Sequence, residues 1–68
     1  MSQTAEYTVT GMTCGHCVAS VTEEVQEVAG VTDVAVELES GSLRVTSEEP
    51  VSDTDIRAAV EEAGYQLA

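Results

Sequence analysis

Tryptophan, phenylalanine and lysine are all missing from this chain, and proline occurs once, at Pro50. With only Tyr7 and Tyr65 as aromatics, Val, Ala and Leu must supply the core, which suits a thin two-layer domain better than a bundle around large side chains. Basic residues are almost absent too: Arg44 and Arg57 face 13 acidic residues, for a formal net charge of −11. Such a surface repels phosphate backbones and anionic lipid, so nucleic acid and membrane surfaces are excluded as expected partners. A basic protein patch or a cation is its natural complement. Most of the carboxylates read as a solvating coat.

Long apolar runs are lacking as well, and no stretch approaches the roughly 18 residues of a membrane span. Met1 to Glu6 has neither the basic n-region nor the apolar h-region of a secretory signal, so a cytosolic protein is expected. A chain of 68 residues hides only about 60% of the surface its unfolded form exposes. One domain spanning 1–68 is expected, with its chemistry at the surface and no deep enzyme cleft. In a reducing compartment two neighbouring cysteines read as ligands or redox groups, not as a structural staple.

Hydrophobic periodicity changes along the chain. Thr4 to Thr10 alternates, with Ala5, Tyr7 and Val9 on one face, as in a half-buried strand. From Cys17 to Val28 the spacing becomes helical: Val18, Val21, Val25 and Val28 oppose Glu23, Glu24 and Glu27. Val has middling helix propensity, so tertiary packing must hold this segment. Alternation returns with Val34, Val36 and Leu38 inward, a turn at Ser40-Gly41, then Leu43 and Val45 inward. Ser52 as N-cap, Asp55 three residues on, and a Val51–Ile56 staple start a second helix lined by Ile56, Val60 and Ala63. Gly64 is placed for a left-handed cap, and Tyr65 to Ala68 suffices for an edge strand. The order is strand, helix, strand, strand, helix, strand. This predicts an α+β, ferredoxin-like βαββαβ domain, with two helices on one face of a four-stranded antiparallel sheet.

Chemistry concentrates in Gly11-Met12-Thr13-Cys14-Gly15-His16-Cys17, where the first strand meets the first helix. A Cys-x-x-Cys alone is shared by zinc sites and redox dithiols. At a helix start, unpaired N–H groups and the positive end of the macrodipole favour thiolate. Residues three apart on a helical turn have Cβ atoms about 5–6 Å apart. An ion held between two sulfurs needs them roughly 4.5 Å apart, twice a bond of about 2.3 Å. Two thiolates without a nearby carboxylate suit Cu(I), whereas structural zinc wants four ligands. An exposed two-ligand site is open to a third thiolate, so the ion can be handed on without release to water.

The run from Gly11 to Cys17, the Val-rich helix and the Gly30-Val31 turn together resemble the heavy-metal-associated domain family. The likeness extends from Tyr7 to Ala68. That family includes bacterial copper chaperones serving P-type copper ATPases, and the amino-terminal domains of those ATPases. Thr13 resembles the copper-type members, where zinc- and cadmium-type members usually carry an acid. Tyr65 resembles the bacterial chaperones, which place an aromatic hydroxyl beside the metal loop, whereas eukaryotic relatives tend to have a Lys there. The resemblance implies Met12 in the core beneath the loop.

The expected function is a cytosolic copper chaperone that is not an enzyme. Cys14 and Cys17 are its metal ligands and Cu(I) its cargo, passed by ligand exchange to a copper-transporting P-type ATPase. His16 and Tyr65 are auxiliary candidates, His16 otherwise solvated and Tyr65 otherwise packing over the loop. Thr13 is read as shaping the loop, and Arg57 as a surface charge. A monomer is expected without metal, and a Cu(I)-bridged homodimer with it. The alternatives are a thiol–disulfide redox module, a carrier of mercury or zinc, or a detached transporter domain. Limited scope for a cis-Pro loop and the absent Trp weigh against the first.

Overall fold

The computed structural model describes residues 2–13 and 15–68. Four strands and two helices follow in the expected order: β1 (Gln3–Thr10), α1 (Gly15–Gln26), β2 (Val31–Val36), β3 (Ser42–Ser47), α2 (Asp53–Glu62) and β4 (Gln66–Leu67). The sheet is ordered β2-β3-β1-β4, and every pairing is antiparallel. Both helices lie on one face of it, the ferredoxin-like arrangement.

The core follows from alternation in the central strands and valine spacing in α1. Val9 of β1, Leu43 and Val45 of β3, Val21 and Val25 of α1, and Ile56, Ala59 and Val60 of α2 form one buried cluster. Val34 and Val36 are only half-buried, because β2 is an edge strand. Ala5 shares the inward side of β1 but stays exposed, since burial along that strand begins only at Tyr7.

Helix α1 runs two residues earlier at both ends than its valine spacing suggests. Gly15 and His16 enter the first turn at little cost, since the N–H groups there have no intrahelical acceptor. At the other end Glu27 and Val28 donate to the carbonyls of Glu24 (3.2 Å) and Val25 (3.1 Å), three residues back. That tighter turn takes Val28 off the helix.

Leu38 departs from its expected inward place and is 39% exposed. Strand β2 stops at Val36, and the turn then closes through Glu37 N–H to the Ser42 carbonyl and Gly41 N–H to the Glu37 carbonyl, both 2.9 Å. Gly41 is required where it stands. Its φ is +73°, and a Cβ there would sit 2.6 Å from the carbonyl oxygen of Val9.

Helix α2 starts and stops where Ser52 and Gly64 place its ends. The Ser52 hydroxyl accepts from the N–H groups of Thr54 (3.0 Å) and Asp55 (3.4 Å). Gly64, at φ +97°, closes the helix: its N–H reaches the Glu61 carbonyl (2.9 Å) and the Tyr65 N–H reaches that of Val60 (3.1 Å). This is the Schellman pattern, and it turns the chain directly into β4.

Candidate metal centre

Strand β1 ends at Thr10, and Gly11 to Thr13 lead towards α1, so the loop is anchored at both ends by buried residues, Val9 and Cys17. Met12 is half-buried and packs against the core cluster, as a thioether filling a gap would. Tyr65 packs against the same cluster from the other end of the chain. Its Cδ1 lies 3.5 Å from the position a Cβ on Gly11 would take, so the ring stands beside the start of the loop.

Cys17 occupies the third position of α1, within the first turn, where helix N–H groups lack intrahelical partners. It is only 8% exposed, more recessed than a wholly surface site would place it. The same face of α1 carries Val21 and Val25 into the core, and Cys17 is four residues before Val21. The Thr13 hydroxyl, expected only to shape the loop, lies 3.9 Å from Cys17 Sγ, within reach of a sulfur hydrogen bond. The four-residue spacing of these two was visible in the sequence, but only a helix start at Gly15 turns it into a contact.

His16 is exposed, and its carbonyl accepts from the Ser20 hydroxyl at 3.3 Å. Cys14, the other expected ligand, lies outside the described residues. Among the described residues no three His, Cys, Asp or Glu side chains converge, so these residues do not themselves compose a multi-ligand zinc or calcium site. No helix among them is long and apolar enough to cross a membrane.

One further feature was not legible in the sequence. A cleft of about 390 Å³ is lined by residues that include Glu6, Tyr7, Asp53, Arg57, Leu67 and Ala68. Arg57 is exposed, as expected of a surface charge, and forms part of that cleft wall. Its neighbours Tyr7 and Asp53 are 46 residues apart in sequence, and no local spacing could have paired them.

The chain resembles known proteins over nearly its whole length. It is 44% identical over 61 residues to the copper chaperone CopZ of Bacillus subtilis, covering 88% of each chain. Its structure superimposes on the CopZ metallochaperone with a TM-score of 0.90 at 31% identity, covering 97% of this chain and 100% of that one. A copper-binding domain from HMA7, a P-type ATPase, matches with a TM-score of 0.89 at 33% identity, over 100% of this chain and 92% of the other. The profile of the heavy-metal-associated domain matches residues 6–66. With the dithiol motif at the β1–α1 junction and a ferredoxin-like fold around it, the chain belongs to the heavy-metal-associated domain family.

Proposed function

We propose that this protein is a cytosolic copper chaperone. Cu(I) is its cargo, held between the thiolates of Cys14 and Cys17 and passed to a cysteine pair on a copper-transporting P-type ATPase. Transfer is ligand exchange: an incoming thiolate bonds to the ion as one chaperone sulfur leaves it. No covalent bond of a substrate is made or broken, and the protein is no enzyme. The observation that carries this reading is the placement of Cys17 in the first turn of α1, at the end of a loop packed by Met12 and Tyr65. Similarity to a copper chaperone over 88% of the chain supports the choice of metal. Soft sulfur donors favour Cu(I) over harder ions, and the first turn of a helix favours anionic sulfur. The ferredoxin-like fold, shared with heavy-metal-associated domains, speaks against the redox alternative.

Anaerobic titration with Cu(I) and with Zn(II), read by native mass spectrometry, is the test. One tightly held Cu(I) per chain is expected, lost in both Cys14→Ser and Cys17→Ser. Parent-like Cu(I) affinity in either variant would overturn the two-thiolate site, and preference for Zn(II) would overturn the choice of cargo. Because Cys17 is recessed, its serine variant should also lose about 1 kcal/mol of apo-protein stability, a hydroxyl being poorly matched to that position.

A further inference from the structure

We propose that Thr13 is a positioning residue for the metal centre: its hydroxyl holds the Cys17 sulfur in the orientation that receives the ion. The consequence for copper rests on the chaperone reading, whereas the contact itself does not.

The argument begins with the freedom of a cysteine on a helix. A χ1 near +60° is rare there, because it drives the side chain into the preceding turn, so two wells remain for the Cys17 sulfur. A sulfur that exchanges between two wells must lose that freedom each time an ion binds, and a ligand already held in place binds more tightly. Thr13 Oγ1 stands 3.9 Å from Cys17 Sγ. A hydrogen bond between them favours the well in which the sulfur meets the hydroxyl.

Thr13 owes its place to the loop and not to the helix ladder, since α1 begins only at Gly15. Gly11, at φ +90°, turns the chain out of β1, and Met12 packs against the core cluster. With its neighbour anchored, the Thr13 hydroxyl is carried to Cys17 by the backbone, at no cost to the core.

Chemistry explains why a hydroxyl serves here. Cys17 is only 8% exposed, so water has little access to its sulfur. A recessed anion needs donors in place of water. The N–H groups of the first helical turn supply part of that need, and Thr13 adds a side-chain donor. Thr13 is itself exposed, which leaves its O–H bond room to turn. It can therefore accept from a neutral thiol and donate to a thiolate or a metal-bound sulfur. A valine of the same shape can do neither.

The test compares Thr13→Val, which keeps the β-branch and removes the hydroxyl, with Thr13→Ser, which does the reverse. The first readout is the three-bond Hα–Hβ couplings of Cys17 in the labelled, reduced, metal-free 68-residue chain. Parent and Thr13→Ser should show one rotamer, and Thr13→Val the average of two. The second readout is Cu(I) affinity by competition with bicinchoninate. It should fall about tenfold in Thr13→Val, the worth of one ordinary hydrogen bond, and stay within about twofold of the parent in Thr13→Ser. Parent-like couplings in Thr13→Val would overturn the proposal. So would a Thr13→Ser variant as impaired as Thr13→Val, because the methyl group and the shape of the loop would then carry the effect. A parent that binds no Cu(I) would strike the copper reading alone, since the couplings are measured without metal.

Discussion

The Tyr7 hydroxyl donates a 2.8 Å hydrogen bond to Asp53 Oδ1, and so ties the middle of β1 to the first turn of α2. Asp53 is well placed for this, because an acid in the first turn also complements the helix macrodipole. Burial of the ring, the bond itself and the negative charge of Asp53 together push the Tyr7 hydroxyl up to about 12.

Tyr7→Phe should therefore lower stability by about 1 kcal/mol at neutral pH, the usual worth of one hydrogen bond to a partly solvated group. The sign of the pH dependence follows from the raised value. The contribution is intact below the unfolded tyrosine value near 10, and it is lost as pH rises towards about 12. Thermal melts from pH 9 to 12 should show the parent converging on the Phe variant. Parallel curves throughout would remove the Tyr7–Asp53 bond from the stability of the fold.

Gly41→Ala should be among the most damaging of conservative changes in this chain. The new methyl meets the Val9 carbonyl oxygen at 2.6 Å, and the left-handed backbone adds strain of its own. A loss of about 2 kcal/mol or more is expected in urea melts. Less than about 0.5 kcal/mol would mean that the β2–β3 turn relaxes away from β1.

Salt should stabilise the metal-free protein. Thirteen acidic residues face two arginines, and the Arg44–Glu6 pair at 3.6 Å is too exposed to offset their mutual repulsion. Raising ionic strength from 0.01 to 0.1 M shortens the screening length from about 30 to about 10 Å. The melting temperature should climb over that interval at constant pH. A flat or falling trend would show the carboxylates to be individually well solvated.

His16 should matter more between chains than within one. It is exposed in the first turn of α1, beside the sequence that carries both cysteines. Cu(I) bridging two chains would draw thiolates from both, with the imidazoles as added donors. Sedimentation at rising Cu(I) per chain should show metal-dependent dimers, favoured by salt and weakened in His16→Ala. A parent that stays monomeric at every loading would end the idea, and a parent-like variant would remove His16 from it.

Patterning along the chain determined a great deal by itself. Valine spacing marked α1, alternation marked β1 to β3, and Ser52 and Gly64 marked the two ends of α2, because each signal acts within a few residues. The Gly-Met-Thr-Cys-Gly-His-Cys run declared the family and the candidate ligands for the same reason. Tertiary structure alone decided the rest. How deep Cys17 sits depends on where α1 starts and which face it buries, and the valine spacing put that start two residues late. Leu38 is exposed because the Glu37–Ser42 turn closes before it, not because its own position breaks the alternation. The Tyr65 ring beside Gly11 and the Tyr7–Asp53 bond bring together residues 54 and 46 positions apart. Only the pairing of β4 with β1 and the packing of α2 bring such groups together, and both are set by burial of the shared core, to which no single segment is informative.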